Sequence, residues 1–475
     1  MAPASDSAPT FDRQTIGVIV AVLIGGLAVL LDSTIVSVAL KSLAADLGAS
    51  ITVIQWVTTA YLLAVGVTVP LAVWAQGRWG GKRLWLGGLV LFGVGSIAAS
   101  LAGTAGLLIA ARVLQGVGGG ILMPLMATLP LQAAKGRVTG RMIATVSLPM
   151  LVGPMLGPVI GGLILHWLSW QWLFWVNVPL VVVGFVAAVR ALPAEDQVER
   201  RPLDVLGAVL LPPGLVGMLY GLSQVSSAGG FGSTKVLLPL LGGAALIAAF
   251  AVYAVRRGSD ALVDVRLLAR RQVASSCAVM FLAGAGLFAG MFLLTLFWQV
   301  SRGQSVLLAG AMMVPQGLGS LVSRTTAGRL TDSIGARGVS LVGVLVTAAA
   351  TVPFAVAGPT TSAWWLGVAI FVRGIGLGAV TIPVMAVAYQ GLTGDDVAHA
   401  SVLTRVSQQV GGSFGTAILA VVLANGLATG TTAHAFDQAF WWAIGLSLVT
   451  ALVIPTLPAR VTHGAPAPQP VSTAV

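Results

Sequence analysis

Read for the order of its apolar and polar positions, the chain is a series of long apolar runs separated by short polar breaks. A helix needs about 20 residues to cross the ~30 Å hydrocarbon core of a bilayer. Fourteen runs approach or reach that length: 15–39, 53–74, 84–102, 106–130, 142–165, 172–190, 204–224, 235–255, 274–298, 305–327, 338–357, 364–388, 401–424 and 437–457. The pattern predicts an all-α polytopic membrane protein with 14 transmembrane helices, and an even number places both termini on one side. Residues 1–14 are polar. The stretch after them is too long for a signal-peptide core and lacks an A-x-A cleavage site, so it is expected to remain as the first helix. The tail 458–475, rich in Pro and Ala, is expected to be disordered.

Composition makes the membrane reading firmer. The chain of 475 residues is 57% hydrophobic and only 8% charged, with a mean hydropathy of +0.97. Soluble domains carry about a quarter charged residues. The net charge of +11 suggests nucleic acid only until the charges are located. They sit in the breaks, and alternate breaks hold nearly all of them, while the opposite set holds only Lys41, Lys235 and Arg302. By the positive-inside rule this puts both termini in the cytoplasm and leaves no role for nucleic acid. Trp56, Trp167, Trp170, Trp172, Trp298, Trp364, Trp365, Trp441 and Trp442 all fall near predicted outer ends, as an interfacial belt would. The single Cys277 excludes an internal disulfide framework. His166, His399, His434 and His463 are far apart, so no metal site is expected.

The chain also repeats itself. Gly116-Val117-Gly118 returns as Gly374-Ile375-Gly376, and Gly153 and Gly157 return as Gly411 and Gly415, all at an offset of 258. The segment from Val73 to Lys82 returns as Gly328 to Arg337 at an offset of 255. Three correspondences in one order predict two homologous halves. They divide the chain into a tail (1–14), a six-helix bundle (15–190), linkers with two inserted helices (191–273), a second six-helix bundle (274–457) and the tail 458–475.

Few residues within the runs carry chemistry. Gly153, Gly157 and Gly161 share one face of the fifth run, with Pro154 and Pro158 directly behind them and Gly162 closing the motif. A face without side chains lets another helix approach to backbone contact. Each proline frees a carbonyl and bends the helix, which suits a rocking contact. The bland alternative is ordinary helix packing. Asp32 is the one acid well inside a run. A carboxylate at a helix centre costs roughly 2.5–3.5 kcal/mol on insertion scales, and loss of water favours the neutral acid in general, so a proton is the cargo such a residue suggests. Arg112 is its expected partner, since Asp32 lies about 12 Å and Arg112 about 9 Å from the same surface at 1.5 Å per residue. A permanent pair that only orients two helices is the structural alternative.

The motifs point to one family. Residues 153–162 read G-P-x-x-G-P-x-x-G-G, which resembles the antiporter signature in the fifth helix of exporters of the major facilitator superfamily. Residues 170–179 resemble the W-x-W-x-F-x-x-N-x-P segment of that superfamily's 14-helix drug:proton antiporters, with Asn177 at its asparagine. Residues 31–40 resemble that family's first-helix motif L-D-x-T-x-V-x-x-A-L, although Lys41 stands where a proline usually follows. Residues 112–120, including Gln115 and Gly116, resemble its fourth-helix motif R-x-x-Q-G-x-G-x-G, and Arg373 precedes the repeat of its glycines. The resemblance implies the major facilitator fold, two six-helix bundles plus two inserted helices, and an arginine at 112 that influences proton release.

The same resemblance assigns gating loops. The first, with Gly77, Arg78, Lys82 and Arg83, has a glycine at the usual Asp position and Val73 in place of the motif's first glycine. The second keeps Gly328, Asp332, Gly335 and Arg337, which makes Asp332 the expected cytoplasmic latch; a solvated loop acid near Arg329 and Arg337 is the alternative. Asn177, Gln299, Gln408 and Gln409 are polar groups that either face a substrate cavity or satisfy helix contacts. There is no Walker A loop, H-E-x-x-H or G-x-S-x-G, so no enzyme and no cofactor are expected.

The reading is a monomeric, proton-coupled exporter of small amphipathic organic compounds, such as drugs or antibiotics, in the inner (cytoplasmic) membrane. One buried acid favours neutral, zwitterionic or monocationic substrates over dications. An uptake symporter or facilitator would share the fold, and the glycine-proline helix argues against it. A non-transporting receptor or scaffold would have little need for a buried Asp32.

Overall fold

In hydrocarbon every backbone N–H and C=O must find a partner within the protein, so apolar runs of this length become helices. A computed structural model describes residues 13–36, 39–49, 51–133, 148–193, 202–225, 228, 230–358, 360–392 and 395–458. Among them there is no strand. The helices are α1 (Arg13–Ile35), α2 (Leu40–Asp46), α3 (Ile51–Trp79), α4 (Gly81–Ser100), α5 (Ala105–Ala133), α6 (Leu148–Trp167), α7 (Trp172–Trp175) and α8 (Asn177–Ala191). They continue as α9 (Val205–Ser223), α10 (Thr234–Arg257), α11 (Arg271–Leu296), α12 (Val306–Ala311), α13 (Val314–Ala355), α14 (Ala363–Tyr389), α15 (Asp395–Thr429) and α16 (Thr432–Val453). Helix covers some part of every predicted run. Eleven stretches of the described residues are long and apolar enough to cross a membrane, and Trp56–Ala72 and Leu307–Ser323 are shorter apolar helices.

Helices α1 to α8 pack chiefly on one another, as do α11 to α16. Within each group a glycine triplet wedges one helix between two neighbouring segments. On α5, Gly116 meets the Tyr61 backbone of α3, Gly118 the Phe92 backbone of α4, and Gly120 Val65 of α3. On α14, Gly374 meets the Gln316 backbone and Gly378 that of Ser320, both in the first part of α13, while Gly376 meets that of Gly343 in its second part. A Cβ at Gly374 would overlap the Gln316 carbonyl, so the repeated glycines are a packing requirement. Between the groups, α9 and α10 form a hairpin closed by backbone contact of Gly214 and Gly217 with Gly243. The hairpin lies against α3, where Trp56 and Tyr220 rings are 5.2 Å apart. It also meets α15, where Leu222, Val225, Val236 and Ala417 share one apolar cluster.

Two expectations are corrected. The gating loops between the second and third, and the tenth and eleventh, runs are almost wholly helical. The reversals are made by single glycines, Gly80 (φ 80°) and Gly335 (φ 82°), 255 residues apart. Only glycine enters this region without strain, so one residue does what a polar loop of ten was expected to do, and α13 runs from Val314 to Ala355 around Gly335. The tryptophan belt is also smaller than expected. Trp167, Trp172, Trp364, Trp365, Trp441 and Trp442 are exposed, but Trp170 and Trp298 are buried. Trp298 sits edge-on to Phe297 in an aromatic cluster with Phe354, Phe436 and Phe440.

Candidate functional site

Asp32 projects from α1 and is wholly buried, as is Arg112 from α5. The expected pair forms, with Arg112 Nη1 2.5 Å from Asp32 Oδ2. The carboxylate is held by more than the arginine. Gln115 Nε2 and Asn177 Nδ2 each donate to Asp32 Oδ1 at 2.9 Å. Both amides also donate to Ser96 Oγ, at 3.2 and 3.0 Å, and the Ser96 hydroxyl donates to the Phe174 carbonyl at 2.9 Å. An ionised carboxylate only accepts, which fixes the orientation of both amides. Four helical segments therefore meet at one carboxylate: α1 with Asp32, α4 with Ser96, α5 with Arg112 and Gln115, and α8 with Asn177.

The guanidinium is equally engaged. Arg112 Nε donates to the Val57 carbonyl of α3 at 3.1 Å and Nη1 also reaches Gln115 Oε1 at 2.6 Å. Its carbon lies 4.1 Å from the Tyr61 ring centroid, a cation–π contact worth about 0.5–2 kcal/mol. Tyr61 is fixed in turn by its hydroxyl, which donates to the Val29 carbonyl at 3.3 Å. Two polar atoms in this dry cluster have no hydrogen-bond partner, Arg112 Nη2 and Asn177 Oδ1. They give the cluster a spare donor and a spare acceptor. Asn177 thus sits at a helix junction and not on a cavity wall. Ser96 and Tyr61 complete a site for which the sequence offered only a hydroxyl within an apolar run and an aromatic residue one turn beyond Val57.

The other named residues are more dispersed. Gly157 packs on Thr34 and Ile35 of α1, and Gly162, on a different side of the helix, on Leu307 of α12, so α6 touches both helical groups. Gly161 is buried. The surroundings of Gly153, Pro154 and Pro158 lie outside the described residues, as do those of Gly328 and the side chain of Asp332. Gly77, Arg78 and Arg83 are exposed. Lys82 Nζ donates to the carbonyls of Val189 and Leu192 at 2.9 and 2.7 Å, capping α8. Arg337 donates to the Leu457 carbonyl from Nε at 3.1 Å and Nη2 at 2.6 Å, beyond the end of α16. Lys82 thus caps the last helix of its group, and Arg337 ties down the chain after the turn Ile454–Thr456 that follows the last helix of its own. Gln408 and Gln409 are half-buried on α15, and Gln299 on the π-turn Phe297–Ser301. Arg373 is buried on α14, where it donates to Gln316 Oε1 and to the Gly286 carbonyl. Among the described residues no cluster of His, Cys, Asp or Glu is arranged to hold a metal.

Two repeated groups of long apolar helices, the first holding a buried Asp–Arg cluster, describe a multi-pass membrane protein. The Major Facilitator Superfamily sequence model matches residues 22–416, and the chain belongs to that superfamily. It is 36% identical over 394 residues to the multidrug resistance protein B homolog of Mycobacterium tuberculosis (strain ATCC 25618 / H37Rv), covering 82% of this chain and 73% of that one. It is 33% identical over 450 residues to the cephamycin export protein CmcT of Amycolatopsis lactamdurans, covering 91% and 90%. In fold it resembles the human organic anion transporter MFSD10, at a TM-score of 0.61 and 16% identity over 93% of this chain and 100% of that one. The nucleoside transporter NupG gives a TM-score of 0.58 and 13% identity over 94% and 98%.

Proposed function

We propose that the chain is a proton-coupled antiporter that exports small amphipathic organic compounds. The single observation that supports this most strongly is the carboxylate cluster around Asp32. As an anion, Asp32 accepts three hydrogen bonds from Arg112, Gln115 and Asn177 and balances the guanidinium. Protonation removes that charge, turns one acceptor into a donor and leaves Arg112 as a buried cation seeking a new partner. The four segments joined at the cluster then have a reason to repack, and the unpaired Arg112 Nη2 and Asn177 Oδ1 offer alternative bonds. A proton is in this way converted into a shift between helices, the two-state element that alternating access requires.

In this reading the chain crosses the inner membrane fourteen times as a monomer, with both termini cytoplasmic. Two six-helix bundles, 15–190 and 274–457, rock about a midplane cavity, and 204–255 is the inserted pair. Protons moving inward through Asp32 drive substrate outward. The names of the relatives, multidrug resistance and cephamycin export, support export of drugs or antibiotics. The test is substrate-induced proton release in everted vesicles, comparing wild type with Asp32→Asn at equal expression. Dequenching of a pH-sensitive dye in wild type alone is expected. An equal response in the variant would remove Asp32 from coupling, and silence in wild type across a panel of lipophilic compounds would overturn the antiporter reading.

A further inference from the structure

The two halves of the chain treat buried charge in opposite ways. At the repeat offset of 258, Asp32 corresponds to Gly290 and Gln115 to Arg373. At the offset of 255, Tyr61 corresponds to Gln316. The structure bears out these equivalences in space. Gln115 hydrogen-bonds Asp32 in the first half, and in the second the Arg373 guanidinium lies over Gly290, where a Cβ would overlap its Nη2. The second half therefore has glycine at the acid's position and a cation at that of its amide partner.

That cation is left uncompensated. Arg373 is only 3% exposed, and its partners are neutral: Gln316 Oε1, which meets Nη1, and the Gly286 carbonyl, 3.2 Å from Nη2. Arg112 has a carboxylate beside it; among the described residues Arg373 has none. A buried, unpaired guanidinium is costly, and a charge kept in a membrane protein at that cost is by default functional. The wall beside it is open. Gly286 is half-buried, and a Cβ placed there would meet no atom within 4 Å outside its own helix turn. The Arg373 guanidinium already reaches the Gly286 carbonyl at the edge of that space, and a guanidinium's planar donor fork matches a carboxylate.

We infer that Arg373, with Gln316 and the Gly286–Gly290 face of α11, forms an anion subsite that takes the carboxylate of an amphipathic substrate, so that the ligand supplies the acid the second half lacks. This rests on the exporter reading only in assuming that a small amphipathic compound enters the protein. It narrows the substrate class to carboxylates and zwitterions, and it leaves Asp32 free to carry the proton.

The test is a binding measurement, independent of proton coupling. Purified protein in phosphatidylcholine nanodiscs is titrated with dansyl-aminoundecanoic acid and with its methyl ester. Wild type is expected to bind the acid roughly tenfold or more tighter than the ester, the effect of one charge-assisted contact. Arg373→Gln lowers the affinity for the acid by more than it lowers that for the ester, so that the preference is lost, and Arg373→Lys retains part of it. Gly290→Asp pushes the Arg373 guanidinium aside and sets a carboxylate next to it, and it also removes the preference, since the guanidinium is then neutralised from within. Wild type that bound the two probes equally, or bound neither, would overturn the subsite. So would an acid preference that survived in both Arg373→Gln and Gly290→Asp, or an Arg373→Gln that weakened acid and ester alike, which would make Arg373 a structural tie between α11, α13 and α14. A failed antiporter reading shows instead in the vesicle assay on Asp32→Asn, which this titration does not touch.

Discussion

Asp32 and Arg112 are each held by several bonds, so the two ends of the pair differ in what their removal strands. Arg112→Met leaves a buried carboxylate with only two amide donors, and breaking a buried pair from one side typically costs about 3–5 kcal/mol. The variant is expected to melt well below wild type in detergent, by fluorescence-detected thermal shift. Asn177→Ala removes one donor to Asp32 and one to Ser96, and its expected cost is smaller, about 1–3 kcal/mol. If the two variants melted alike, the arginine would not be the principal partner of the acid. The pair was legible in the sequence because an acid within an apolar run is expensive and the depth of Arg112 matches that of Asp32. Ser96 was not, because a serine in a helix can satisfy itself on the carbonyl one turn back, as Ser33 does on Leu30. Nothing in its neighbourhood signals that its hydroxyl instead joins two amides.

At the scale of elements, the basic positions after Gly80 and Gly335 both hold the end of their own group, and the one after Gly80 caps a helix. Lys82→Met releases the carbonyls of Val189 and Leu192, and a loss of about 0.5–1.5 kcal/mol is expected. Hydrogen exchange should localise the change to the end of α8; protection there equal to wild type would mean the cap contributes nothing. The segment between α10 and α11 adds a pH dependence. Arg266 donates to Asp264 from Nε at 3.0 Å and from Nη2 at 2.8 Å, and holds its carboxyl below the usual range. A depressed carboxylate stabilises at pH values above its unfolded value, about 3.9, and loses that contribution as pH falls through the folded value. The difference in melting temperature between wild type and Asp264→Asn is therefore expected to be constant from about pH 8 to about pH 5 and to close only below about pH 4. Closure near neutral pH would implicate a histidine in its place. Apolar runs located the helices well, since length and hydropathy are what a bilayer selects. Their junctions were misread as loops, because charge density marks where helices leave the apolar layer and says nothing about how many residues make the turn.

For the whole molecule, the contact of α6 with α12 is the decisive one if the halves rock. A Cβ at Gly162 would lie 3.3 Å from that of Leu307, close to disulfide spacing. With Cys277, the single cysteine, replaced by serine, the pair Gly162→Cys and Leu307→Cys is expected to cross-link under mild oxidation. Transport should stop and return on reduction. Full transport by a cross-linked protein would show that α6 and α12 never part. The repeat was legible from glycine spacing, and the family from the glycine-proline and tryptophan motifs. The contrast between a paired charge in the first half and an unpaired cation in the second was not, because it appears only when Arg373 is seen to lie over Gly290 with no acid beside it among the described residues. A different consequence follows from Asp204. Its Oδ1 caps α9 at Gly207 N (3.0 Å) and accepts from the Tyr253 hydroxyl of α10 (2.6 Å), while Oδ2 accepts from Leu262 N (2.8 Å). One carboxylate ties the point where the chain enters the α9–α10 hairpin to the point where it leaves. The hairpin's two ends are thus stitched together, so its base keeps one geometry whatever the helices that Leu211, Leu215, Phe250 and Ala254 pack against do.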